Sequence, residues 1–351
     1  MQPPSEPIPP ASVPGCPGGM RLTVIIVGVH CPGADRFAGL AEMRTVFPDA
    51  TYVLSTSRAE ARAAGDLSQF DRVLIQESPG LISSDKFHHA STEINQIRAY
   101  AQAALAECGT RLAVLLRPGS YLFSAKALDL WQAWSVPGPR SAPDGPGRIL
   151  VSKFFTINPR YDERLPFQVS TTFQLGRAAD LLRYWSGPEY DFATATWYEG
   201  RPHARGSLPR ERAFRARFTP DQWMALHYLY PSETFPIEYH NDVSVAAMAE
   251  FETMLARHFI VAHPRDIDLH DAETIGLYFN TYVNMLCYSY WEWARWAERE
   301  QGTAPDFPTH RFWPREPWQR QAVLFARTKL SRRLLGGSGL LSKKLLRQIY
   351  D

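Results

Sequence analysis

Cysteine is scarce in this 351-residue chain: there are four, Cys16, Cys31, Cys108 and Cys287, and no two stand close together. That excludes a disulfide framework and a cysteine-rich zinc set, and it suits a reducing compartment. An excess of one charge is also missing. Lys and Arg number 38 against 36 Asp and Glu, a formal net charge of +2, so no global field favours nucleic acid and any basic surface must be local. The apolar run from Leu22 to Val29 is far short of the ~20 residues of a membrane-spanning helix and reads as a first core strand. No Gly-x-Gly-x-x-Gly follows that strand, and neither a P-loop nor a Gly-x-Ser-x-Gly elbow occurs. Dinucleotide, NTPase and serine-hydrolase chemistries are weakened accordingly.

What is present is a hydrophobic fraction of 45%, enough for a substantial core. Residues 1–20 are rich in Pro and have neither the basic start nor the apolar stretch of a secretory signal, so they read as a disordered leader. From Leu22 the chain alternates strand-like runs (22–29, 51–56, 72–77 and 112–117) with helix-like ones, the longest around Thr92–Glu107. Strands alternating with helices predict βαβ units and a mostly parallel sheet. The Pro- and Gly-rich stretch 136–147 marks a soft boundary near residue 150. Beyond it, 151–300 mixes a strand or two with helices, and 301–351 forms a basic tail. A final aromatic helix is expected from the spacing of Ile275, Phe279, Tyr282, Leu286, Trp293 and Ala297.

Two further features attract chemistry. Asp266 and Asp268, flanked by His263 and His270, form an Asp-x-Asp; in extended chain Asp266, Asp268 and His270 share a face, as a metal site requires, but a solvated loop is the simpler reading. The stretch 321–351 carries seven Lys or Arg and one acid, its last residue, with Leu341, Leu345 and Ile349 at helical spacing beyond Gly336, Gly337 and Gly339. Such a helix either lies on an anionic bilayer or docks on the domain with a solvated basic face.

The ordered pieces VFPDATYVLSTS, ESPG, EINQI, LLRPG, VSTTFQLGRAADLLRYW and TPDQWMALHYL together resemble the WavE family of lipopolysaccharide-synthesis proteins over roughly residues 22–262. The resemblance implies an α/β, Rossmann-like, GT-A-type mixed sheet flanked by helices, with a helical C-terminal part. It makes 21–150 the nucleotide-sugar-binding half and 151–300 the acceptor half and closing helices of the same domain. It implies a bacterial glycosyltransferase that moves a sugar from a nucleotide-sugar donor to a lipopolysaccharide or capsular glycan, whose acceptor is a glycan or lipid-linked glycan. The alternative is a non-catalytic relative that binds glycan or nucleotide, or serves as a scaffold, in envelope polysaccharide assembly. Ser55, Thr56, Ser78, Asn95, Gln96, Arg117 and Ser170 then line the nucleotide-sugar site, with Arg117 on the diphosphate, and Asp180 and Asp221 are the acceptor-side bases. An ordinary helix-start acid is the competing account of both aspartates. Where the family pattern has acids that would hold manganese or magnesium, this chain has Gly119 and Thr171, so a divalent cation is not firmly implied. The expected location is cytoplasmic, with peripheral contact to the inner membrane through residues 323–350, and nucleic acid is not an expected partner.

Overall fold

The computed structural model describes residues 21–28, 37, 39–79, 90–117, 120–135, 147–161, 163–271, 286–302 and 305. The leader, Pro118, Gly119, the aromatic positions 275–282 and the basic tail beyond 305 lie outside the described residues.

The first half follows the alternation of its sequence. Strands β1 (Leu22–Val27), β2 (Thr51–Ser57), β3 (Arg72–Gln76) and β4 (Leu112–Leu116) are separated by α1 (Leu40–Val46), α2 (Arg58–Ala64) and α3 (Ala90–Ala106). All four strands are parallel, in the order β3-β2-β1-β4. Every residue of β1 and β4 is buried, which is why both read as continuous apolar runs rather than alternating ones. Strand β5 (Ser120–Leu122) and helix α4 (Lys126–Trp134) follow.

The sheet continues past residue 150. Strand β6 (Ile149–Ser152) pairs antiparallel with β7 (Phe173–Arg177), β7 pairs antiparallel with β4, and β8 (Phe259–Ala262) pairs parallel with β6. The result is one seven-stranded sheet, β3-β2-β1-β4-β7-β6-β8, in which β7 alone runs against the rest. This is an α/β Rossmann-like mixed sheet. A two-stranded ribbon joins β5 to β9 (His270–Asp271).

Helices cover both faces. Neighbouring residues of a strand point to opposite sides: Phe173 of β7 meets Phe123, just ahead of α4, whereas Gln174 accepts a 2.8 Å hydrogen bond from the Trp185 indole. Trp185 ends α5 (Ala178–Trp185), which packs with α3 and with α7 (Pro220–Leu229); the short α6 (Phe192–Ala195) lies between α5 and α7 in the chain. On the α4 side stand α8 (Val245–His258) and α9 (Tyr290–Gln301), tied together where Trp293 stacks edge-on against Trp134 and donates to the Leu255 carbonyl at 3.0 Å.

The expected continuous aromatic helix is corrected at its C-terminal part. Cys287 forms a β-bridge with Ile157, and α9 starts afresh at a capping box of Ser289 and Glu292. A backbone bridge and a helix cap at these positions outweigh the apolar spacing that ran through them.

The end of β2 shows local chemistry serving the fold. Ser57 caps α2 in a capping box with Glu60, whose Oε2 also accepts from Thr56 and Tyr100. Burial alone would raise the Glu60 pKa, but these hydrogen bonds outweigh it and hold the carboxyl below its usual value. Ser57→Ala should cost about 1 kcal/mol, read as a lower denaturant midpoint with ligand affinity unchanged.

Candidate functional site

Parallel strands of an open α/β sheet offer their C-terminal ends as a binding edge. Here β4 ends at Leu116 directly opposite Phe173, the first residue of the antiparallel β7. The register therefore brings Arg117 and the residues just before Phe173 together, and the Arg117 amide donates to the Thr172 carbonyl at 3.2 Å.

The third partner arrives from α7. Thr219 and Gln222 form its capping box, Pro220 occupies the first turn, and Asp221 follows. Gln222 buries its amide and donates to the carbonyls of Pro166 and His240 at 2.6 and 2.8 Å. Thr219 also hydrogen-bonds Gln168. These bonds lash the start of α7 to the segment leading into β7.

A connected polar chain results. Arg117 Nη2 donates to Thr171 Oγ1 at 2.9 Å, Thr171 Oγ1 donates to Asp221 Oδ1 at 2.8 Å, and Gln168 Nε2 donates to Asp221 Oδ2 at 2.7 Å. A hydroxyl has one proton and an ionised carboxylate can only accept, so the sense of the Thr171 bonds is fixed. Burial raises the Asp221 pKa, and the Arg117 charge and the two hydrogen bonds offset only part of that. Arg117 keeps its Nε buried and without a protein partner.

Arg117 and Asp221 open into a cleft of about 630 Å³, within the usual size of a small-molecule site. Glu93 and Ile94 from the start of α3, Phe155 and Ile157 beyond β6, and Arg164, Glu211, Phe214 and His240 complete its principal walls. Phe155 is 38% exposed and holds a left-handed backbone, φ 67°, a strained conformation of the kind that collects at ligand clamps. Glu211 is anchored by Arg164, the Leu208 amide and Asn241. Burial would raise its pKa, but those bonds and the Arg164 charge bring it down to about 2.

The other residues expected at this site go elsewhere. Ser55 and Ser170 are buried and neither lines the cleft; Ser170 shares a hydrogen bond with Thr172 at 3.0 Å. Thr56 is committed to Glu60. Asn95 is clamped between the amide and carbonyl of Tyr190, at 2.8 and 3.0 Å, and joins α3 to the segment after α5. Gln96 and Ser78 do meet, at 2.7 Å, but neither lines the cleft. Asp180 lies at the far end of β7, since Arg177 pairs with Leu112 while Phe173 pairs with Leu116. There it holds Arg177 at 2.5 Å and the Gly147 amide at 3.0 Å. A Cβ on Gly147 would come within 2.7 Å of the Asp180 carboxylate, so this is a close structural staple, and the geometry removes Asp180 from the cleft.

A divalent cation does not fit the described groups. Arg117, Thr171, Gln168 and Asp221 supply one carboxylate beside a fixed positive charge, and among the described residues no group of three or more His, Cys, Asp or Glu could hold a metal ion. Such a cation takes several oxygen ligands, carboxylates above all. Asp268 does not supply one here; it pairs with Lys126 at 2.9 Å.

A family model for WavE lipopolysaccharide synthesis matches residues 33–321. The chain belongs to the WavE lipopolysaccharide synthesis family. Membership ties it to lipopolysaccharide synthesis and to glycan-related substrates. The WavE match reaches well beyond residue 262, where the sequence resemblance was expected to stop, and takes in β9 and α9 as well. No curated protein matches the chain significantly. Among the described residues of this WavE protein, no helix is long and apolar enough to cross a membrane.

Gln168, Glu211 and His240 were not legible as site residues. Gln168 and His240 come from irregular segments without periodicity, and Glu211 from a single 3₁₀ turn. The capping signature Thr219-Pro220-Asp221-Gln222 was a usable signal, because it places Asp221 in the first turn of α7.

Proposed function

We propose that this WavE protein is a GT-A-type glycosyltransferase that uses a nucleotide-sugar donor and acts on a lipopolysaccharide or capsular glycan. The observation that carries this reading is the Arg117–Thr171–Asp221 chain at the C-terminal edge of the sheet, opening into a cleft of ligand size.

Arg117 offers a guanidinium to the diphosphate and offsets the charge that develops as the bond between the anomeric carbon and the phosphate oxygen breaks. Asp221 takes the proton of the acceptor hydroxyl as its oxygen bonds to the anomeric carbon. Thr171 and Gln168 hold the carboxylate in place. Phe155 presents an apolar face at the cleft, on which a base or sugar ring can stack.

The non-catalytic alternative is favoured by one observation: Asp221 already accepts two hydrogen bonds, as a purely structural acid would. A panel of nucleotide sugars, read first by thermal shift and then by donor turnover, separates the two readings. Stabilisation with turnover supports a transferase, and stabilisation without turnover supports a binding protein.

The acceptor class suggests work at a membrane surface in the cytoplasm, with the basic segment 323–350 in peripheral contact. Deleting residues 336–351 should weaken co-sedimentation with anionic vesicles, by a margin that shrinks as salt rises. Equal binding by the shortened protein would refute the role of that segment.

A further inference from the structure

His240 is a polar group that the transfer step above does not use. Its side chain is fully buried, borders the cleft, and has no hydrogen-bond partner at either ring nitrogen. The surroundings fix its plane: it stacks on Phe214 with centroids 4.5 Å apart at 8°, and Tyr198 meets it edge-on at 5.9 Å. Its backbone is held on both sides, by the Arg217 carbonyl and by the Gln222 amide. That same Gln222 caps α7, so the network that presents Asp221 also seats His240.

Unpaired buried polar groups destabilise a protein and call for explanation. We propose that His240 reads a hydroxyl group of the sugar bound in the cleft, and so sets which hydroxylated ligand the site accepts. This rests on the transferase reading. Burial above all pushes the His240 pKa down to about 4, so the ring is neutral near pH 7 and carries one N–H donor and one bare acceptor nitrogen. A hydroxyl, which both donates and accepts, can satisfy whichever nitrogen faces it. A diphosphate calls for fixed positive charge, which Arg117 supplies and a neutral imidazole does not. The diphosphate therefore belongs with Arg117, and the sugar with His240.

Affinities of UDP-glucose, GDP-mannose and ADP-heptose are compared with those of UDP, GDP and ADP by thermal shift, on wild type and on His240→Phe, His240→Leu and His240→Gln. One apolar variant is larger than the imidazole and the other close to it in volume, so the test does not hang on one substitution folding. The wild type should bind its preferred nucleotide sugar more tightly than the bare diphosphate. The apolar variants should lose about tenfold of that preference, the worth of one hydrogen bond, while binding the diphosphate as before. His240→Gln, with a donor and an acceptor, should recover part of it.

An unchanged preference in both apolar variants overturns the assignment and leaves the transferase reading standing. If no nucleotide stabilises the wild type, the transferase reading falls, and methyl hexosides at millimolar concentration decide the hydroxyl assignment. Weaker hexoside binding in His240→Phe upholds it; equal binding, or none in the wild type, overturns it.

Discussion

Asp221→Asn should lower sugar transfer by about 10²–10⁴-fold, the range for loss of a general base, with donor affinity changed only a few-fold. The replacement keeps the shape of the side chain but cannot take the acceptor proton. Two accompanying signs separate this from a structural effect. Burial raises the native pKa of Asp221 above its ordinary value of 3.8, so the acid limb of the wild-type rate profile should sit above that value and vanish in the variant. The stability sign is the reverse of that for a salt-bridged acid. A carboxyl with a raised native pKa binds its proton more tightly folded than unfolded, so its ionised form burdens the native state at pH values above that pKa. Asp221→Asn should therefore melt higher than wild type near pH 7 and lose this advantage as pH falls through the native pKa, with none left below the unfolded-state pKa. Melting curves at pH 7 and pH 3.5 check it; a variant that melts lower at pH 7 would mark Asp221 as an anchor of α7.

Arg117→Ala should weaken nucleoside-diphosphate and nucleotide-sugar binding by about 1.5–3 kcal/mol, the value of a hydrogen bond to a charged group. Arg117 is positioned for this because Nη2 is anchored on Thr171 while Nε remains without a protein partner. EDTA should leave wild-type binding intact, since a guanidinium stands where a cation would otherwise offset the diphosphate. Titration calorimetry with and without EDTA measures both effects. Binding abolished by EDTA and restored by manganese would refute the arrangement and turn attention to Asp266 and Asp268, whose segment follows β8.

The amount of the site visible in advance differed by residue. Arg117 and Asp221 came from the resemblance too, but each also sits at a punctuation mark, the end of an apolar strand and the first turn of a capped helix. Ser55, Thr56, Ser78, Asn95, Gln96, Ser170 and Asp180 were carried over from a resemblance that records order along the chain and not direction in space. Asn95 and Gln96 show how sharp that difference is. On one helix, a single step of about 100° sends Asn95 into the interior onto Tyr190 and leaves Gln96 outside against Ser78.

The sequence by itself determined the parallel strands β1 to β4, the helices α1 and α3 between them and the proline-marked start of α7. These rest on short-range causes, chiefly apolar runs buried on both faces and proline in a first turn. Only the tertiary structure decided that β7 runs antiparallel between β4 and β6. That reversal brings Thr171 beside Arg117 and carries Asp180 to the opposite edge of the sheet. It also decided that Gln168, Glu211 and His240 face one cleft. Strand direction and the meeting of irregular segments depend on hydrogen bonds between residues some fifty positions apart, such as Arg117 with Thr171 and Thr171 with Asp221. No local periodicity encodes those contacts.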